Sequence, residues 1–147
     1  MKGLATLFIL IQIIVLSACA TTSNAPSVRE MLREATGQNG RACVRSTEIS
    51  SYGTIRDNLV SIDGPRKHYI AIMSPGCLDL DTSLRTRLLG NAGEICGGSM
   101  HLMRTESDEC LIRQMFEFDS QQQAFAMLNS ILEKREILKK SETNSGD

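Results

Sequence analysis

The sequence has no tryptophan, only three prolines and two histidines, and aromatic residues fill 4% of its 147 positions. A surplus of either charge is missing too: 16 Lys and Arg stand against 17 Asp and Glu. With no basic surplus to neutralise phosphates, the chain lacks the electrostatic footprint of a nucleic-acid binder. No apolar run reaches the roughly 20 residues that span a bilayer. G-x-S-x-G, S-x-x-K, H-E-x-x-H and C-x-x-C are all absent, which removes the common nucleophile, zinc-protease and dithiol signatures. There is no internal repeat. An apolar fraction of 41% is too high for wholesale disorder. The expectation is one non-enzymatic domain without a cofactor.

The N-terminus carries the most specific signal. Lys2 precedes an apolar stretch from Leu4 to Leu16, interrupted only by Thr6 and Gln12. That length suits a secretory leader. Leu16-Ser17-Ala18-Cys19 follows: an aliphatic residue, two small ones and a cysteine. It resembles the processing box of bacterial lipoproteins. The resemblance implies cleavage before Cys19, a thioether diacylglycerol on its sulfur and a third, amide-linked acyl chain such as palmitate. Two or more chains anchor stably, at about 0.8 kcal/mol per buried methylene. Ala20, where an Asp would signal retention, implies the outer membrane with the domain facing the periplasm; the outer leaflet of the inner membrane is the alternative.

Residues 1–18 are therefore read as a leader, 19–27 as a lipidated tether, 28–140 as one domain and 141–147 as a disordered tail. Ser27 and Glu30 have capping-box spacing, Val28, Met31, Leu32 and Ala35 share a helical face, and Gly37 stops the helix. A strand is expected over 41–49, broken by Ser50-Ser51-Tyr52-Gly53. Leu59–Ile62 and His68–Met73 flank the turn signal Asp63-Gly64-Pro65 and form a hairpin. Residues 79–89 suggest a helical turn, and 94–104 two short strands or one bent strand. Cys110–Phe118 reads as a strand with Cys110, Ile112, Phe116 and Phe118 on one parity. Asp119 or Ser120 then caps a helix over 120–140, with Ala124, Phe125, Leu128, Ile131 and Leu132 as its stripe. The fold class is α+β to mainly β: a small antiparallel sheet or open barrel, core 41–118, between a short N-terminal and a longer C-terminal helix.

With Cys19 set aside, Cys43, Cys77, Cys96 and Cys110 remain, and an even number in an exported domain reads as two disulfides. Three connectivities are possible. The favoured one joins Cys43 to Cys110, the opening to the closing strand, and Cys77 to Cys96, clamping the middle excursion. Loop closure would contribute about 4 and about 3 kcal/mol respectively.

Arg41-Ala42-Cys43, Tyr69-Ile70, Ser74-Pro75-Gly76-Cys77-Leu78-Asp79-Leu80, Arg85 and Arg87, Ile95-Cys96 and Cys110-Leu111-Ile112 carry a further resemblance. Over about residues 38 to 118 the chain resembles a family of small proteobacterial lipoproteins known only as a domain of unknown function. The resemblance implies the four-cysteine framework and the envelope address, and brings no activity.

Among residues that could bear chemistry, Met100-His101-Leu102-Met103 has soft-metal character. On a strand His101 and Met103 share a face, giving two ligands for Cu(I). Asp79 and Asp81 lack the further oxygens of a calcium loop. Arg85 and Arg87 are solvent charges that could hold an anion. Gly93-Glu94-Ile95-Cys96-Gly97-Gly98-Ser99 lacks the order of a phosphate loop. The leading functional expectation is a module held to the membrane through Cys19 that binds an envelope protein or a cell-wall component. A carrier of a small ligand or copper is the alternative.

Overall fold

The computed structural model describes residues 25–56, 58–77, 87–89, 93–98 and 100–144. The leader, Cys19, Asp79, Asp81 and Arg85 lie outside the described residues. Helix α1 (Val28–Thr36) forms where its ends dictate. Glu30 N donates to Ser27 Oγ at 3.2 Å, and Ser27 N donates to Glu30 Oε2 at 2.9 Å, closing the capping box. Gly37 ends the helix at φ 68°, a left-handed conformation that favours glycine, and its N–H donates to Arg33 O.

Among the described residues eight strands follow: β1 (Cys43–Arg45), β2 (Ser51–Arg56), β3 (Leu59–Asp63), β4 (His68–Met73), β5 (Arg87–Leu89), β6 (Glu94–Cys96), β7 (Leu102–Arg104) and β8 (Glu109–Phe118). Helix α2 (Gln121–Asn144) ends the described residues. Six strands form one antiparallel sheet in the order β2-β3-β4-β8-β7-β5, curled into a half-barrel. Strands β1 and β6 form a separate two-stranded ribbon. The expected class of sheet between two helices is what the chain adopts. Among the described residues no helix is long and apolar enough to cross a membrane.

The sheet buries both faces, so all six residues of β4 are buried. Leu59, Ile70, Ile72, Phe116 and Phe118 meet Met31 and Leu32 of α1 and Ala124, Leu128 and Ile131 of α2. On the other face Val60, Ile62, Tyr69, Ala71, Met73, Ile112 and Met115 meet Val44 and Ile95 of the ribbon. One irregularity makes this possible. Ile72 pairs with Gln114 while Met73 pairs with Ile112, so Arg113 is a bulge residue. Cys110 and Ile112 therefore face the ribbon while Phe116 and Phe118 face the helices. The single parity expected for this strand is corrected: the extra residue inverts the alternation halfway along.

Other expectations are corrected as well. The strand over 41–49 is only β1, followed by a 3-10 turn at Ser46–Glu48, and the supposed break at 50–53 opens β2. Strand β2 sits at the sheet edge, with its residues exposed or half-buried, so it shows no core alternation to read. Arg87–Leu89, expected to be helical, is a strand paired with β7. Helix α2 does not stop at 140. Its last turns persist to Asn144, where Ser141 Oγ donates to Leu138 O and Thr143 Oγ1 to Lys140 O. At its start Ser120 is the cap, with Gln123 N donating to Ser120 Oγ at 3.2 Å. The residues read as the end of the tether are fixed: Ser27 caps α1, and Arg135 Nε donates to Pro26 O at 3.0 Å.

The disulfides are Cys43–Cys96 and Cys77–Cys110, in place of the expected Cys43–Cys110 and Cys77–Cys96. The reason is topological. The strand bearing Cys43 is not in the main sheet; it pairs with β6 in a register that sets Cys43 directly opposite Cys96. The turn after β4 is stitched to β8 instead. Ser74 N donates to Leu111 O at 2.8 Å, which brings Cys77 to Cys110.

Where β7 ends, the other edge of β8 is covered by the chain leaving α1. Gln38 acts as a surrogate strand residue: its Nε2 donates to Glu117 O at 2.7 Å and its Oε1 accepts from Glu117 N at 2.8 Å. Met115 N donates to Gly40 O at 2.9 Å, and Ala42 N to Met115 O at 3.1 Å. Gly97 lies across this crossing. A Cβ there would stand 2.2 Å from Gly40 O and 2.3 Å from Met115 N, both backbone atoms. Gly97→Ala is therefore expected to destabilise the domain by about 3 kcal/mol, as overpacking does when neither neighbour can yield. Urea titration of the two proteins checks this; a loss within about 0.5 kcal/mol would mean the crossing is loose.

Candidate functional site

Two polar places stand out from the apolar cores. The first is a cleft of about 790 Å³ between the chain leaving α1, the end of β8 and the first turn of α2. Its polar walls include Gln38, Asn39, Arg41, Glu117, Asp119 and Gln123. Local structure fixes them. Arg41 N donates to Asn39 Oδ1 at 3.0 Å, and Asp119 N to Gln123 Oε1 at 3.0 Å, so both side-chain amides keep their N–H groups for other partners. Lys67 Nζ lies 2.6 Å from Asp119 Oδ1 and 3.2 Å from Glu117 Oε1. That hydrogen bond from Lys67 holds the Asp119 carboxyl below its ordinary range, and the two carboxylates hold the Lys67 ammonium above its own. Amide, carboxylate and guanidinium groups around one opening suit a polar ligand rich in donors and acceptors, such as an extended peptide or a saccharide.

The second place is internal. In the β3–β4 hairpin Asp63 lies opposite His68, and alternation puts Ser61 on the same face as Asp63. His68 Nδ1 is 2.6 Å from Asp63 Oδ1, and His68 Nε2 is 3.3 Å from Ser61 Oγ. An ionised carboxylate only accepts, so Nδ1 donates to Asp63, and Nε2 shares a second hydrogen bond with the Ser61 hydroxyl. Ser51 Oγ on edge strand β2 donates to Asp63 Oδ2 at 2.7 Å. The order of atoms is that of a Ser-His-Asp relay. Its setting differs: Ser61 is 8% and His68 2% exposed, and the Phe125 ring of α2 lies 5.7 Å from the His68 ring. With so little surface open to a substrate, the array works as a clamp that ties edge strand β2 through β3 to β4.

The sequence-predicted site residues fall out as follows. His101 is buried and accepts a hydrogen bond at Nδ1 from Cys96 N at 2.7 Å, while Met103 is 1% exposed in the ribbon-side core. A copper ion at this pair would have to displace the Cys96 hydrogen bond and open the core. Met100, in contrast, is 86% exposed. Cys43, Cys96 and Glu94 bring their donor atoms within 4.8 Å of one another, but the two sulfurs are bonded together. The cleft residues had no sequence signal beyond polarity, because segments far apart in the chain build it. The Ser51, Ser61, Asp63 and His68 array did have one: polar residues two apart on a strand, with a histidine placed symmetrically across the turn.

The model of a family of unknown function (DUF6491) matches residues 2–129. No curated protein matches the chain, and no solved structure does.

The Asp63 clamp has a pH consequence. The hydrogen bond from Ser51, then those with His68, hold the Asp63 carboxyl below its usual 3.8. A depressed carboxyl contributes stability that is present above the unfolded-state value and lost as pH falls through the folded-state value. Stability should therefore fall on acidification below about pH 4, and Asp63→Asn should flatten that part of the profile. The variant should also lose about 2 kcal/mol at neutral pH, the worth of hydrogen bonds to a charged acceptor. Urea midpoints measured from pH 2 to 7 on both proteins check it; parallel profiles would show that Asp63 titrates as in the unfolded chain.

Proposed function

The chain belongs to this family of unknown function, which supplies no activity, and we propose that it acts as a lipid-anchored envelope module. Cys19 is acylated and becomes the mature N-terminus. The domain faces the periplasm from the outer membrane and binds an envelope protein or a cell-wall component in the cleft beside Asn39 and Gln123. The observation that carries this reading is the use of cysteine. Four of the five cysteines are consumed in two disulfides, and the fifth, Cys19, closes a lipobox-like sequence after a short apolar leader. Paired structural cysteines belong to oxidising compartments, and a leftover cysteine directly after small residues at a leader's end fits an acyl acceptor. The resemblance to small proteobacterial lipoproteins supports the same address.

Expression in a Gram-negative host, followed by fractionation and intact mass of the mature protein, tests the reading. The expected product starts at Cys19, carries acyl mass and sediments with the outer membrane. Cys19→Ser should lose the acyl mass and leave the membrane fraction. A mature form that starts elsewhere without lipid would end the proposal. For the cleft, the Cys19→Ser protein should co-sediment with isolated cell-wall sacculi or crosslink to one envelope protein, and Asn39→Ala with Gln123→Ala should weaken that binding.

A further inference from the structure

The two disulfides sit in opposite environments. Cys110 is fully buried on β8 inside the ribbon-side core, and its partner Cys77 is packed against that core. Cys43 is exposed and Cys96 half-buried on the outer face of the β1–β6 ribbon. Along β1 the chain alternates, with Val44 buried and Cys43 and Arg45 exposed. Arg41, also exposed, falls on the parity of Cys43 and Arg45. The Glu94 carboxylate lies within 4.8 Å of both sulfurs, and the strand neighbours of the two cysteines differ in charge. Cys43 is flanked on its own strand by Arg41 and Arg45, and Arg45 also holds Glu48 of the 3-10 turn. Cys96 has the carboxylate of Glu94 beside it, with Oε2 3.9 Å from its sulfur.

We infer that Cys43–Cys96 is a thiol–disulfide exchange site that reacts with a dithiol on a partner protein, while Cys77–Cys110 is a permanent structural bond. The exposed Cys43 sulfur is the point of attack. A partner thiolate bonds to Cys43 Sγ, the Cys43–Cys96 bond breaks, and Cys96 leaves with the pair of electrons and takes up a proton. The partner's second thiolate then closes on its own mixed-disulfide sulfur and releases Cys43 as a thiolate. Two electrons pass from the partner dithiol to the pair; one proton ends on Cys96 and the other in solvent. Run in reverse, Cys43 is the attacking thiolate, favoured by the adjacent cations, and Cys96 the resolving thiol.

The ribbon survives the opening of its bond, which makes the exchange reversible. Val44 and Ile95 anchor it in the core, Gly97 N donates to Ala42 O at 3.0 Å, and Ser46 Oγ to Gly93 O at 3.0 Å. The two thiols therefore stay opposite each other. This inference stands on the ribbon alone and is independent of the acylation of Cys19.

The test uses oxidised, folded Cys19→Ser protein treated with dithiothreitol without denaturant, then quenched with an alkylating reagent and mapped by mass. Cys43 and Cys96 should be labelled at least about tenfold faster than Cys77 and Cys110. Equal rates, or faster opening of Cys77–Cys110, would overturn the inference. A second arm measures the pH profile of Cys43 alkylation in the reduced pair, whose charged surroundings are Arg41, Arg45, Glu48 and Glu94. Replacing Arg41 and Arg45 together by Gln should move the profile to higher pH, and replacing both by Lys should restore it. An unmoved profile in the Gln variant would remove the division of roles between the two sulfurs.

Discussion

A single extra residue in β8 decides how this domain is built. Without the bulge at Arg113, Cys110 and Ile112 would share the helix side of β8 with Phe116 and Phe118 and leave the ribbon side short of apolar partners. With it, Ile112 and Met115 point to the ribbon while Phe116 and Phe118 point to the helices. The strand beside it, β4, is buried throughout and needs no such device, since every side chain from His68 to Met73 finds packing on one face or the other. The helices, the ribbon and both apolar cores are arranged about this pair of strands.

Covering both faces creates a polar problem, because backbone groups at the sheet margins must still be satisfied. Along β8 the chain solves it with one side chain and with its own backbone. Gln38 reads the Glu117 backbone as a strand residue would, and Gly40 and Ala42 take both backbone groups of Met115. At the opposite margin Ser51, Asp63, His68 and Ser61 form a continuous chain from solvent to the helix-side core. Both arrangements tie neighbouring segments of the chain to one another, so both fix register.

Local chemistry was legible in the sequence and long-range register was not. The capping box at Ser27, the Gly37 stop, the Asp63-Gly64-Pro65 turn and the Ser120 cap act within a few residues, and the structure has each where the pattern put it. Strand β2 was missed because an edge strand with exposed residues has no alternation to detect. The inverted half of β8 was missed because a bulge leaves no composition mark. The disulfide pairing depended on which sheet accepted β1, a choice settled by the burial of Val44 against Ile95 and invisible at Cys43 itself. The cleft draws on segments some eighty positions apart, such as Gln38 and Glu117, which no local window joins.

The two cross-links have one more property, which concerns connectivity rather than energy. In sequence they interlace: the loop from Cys43 to Cys96 begins before the loop from Cys77 to Cys110 and ends inside it. The nested pairing expected from sequence would let two backbone cuts, one before Cys77 and one after Cys96, release the piece between them. In the interlaced arrangement that same piece carries one half of each bond and stays tied to both neighbours. A protease that nicks the chain on both sides of the central segment therefore leaves one covalent object, with its strands still able to find their places.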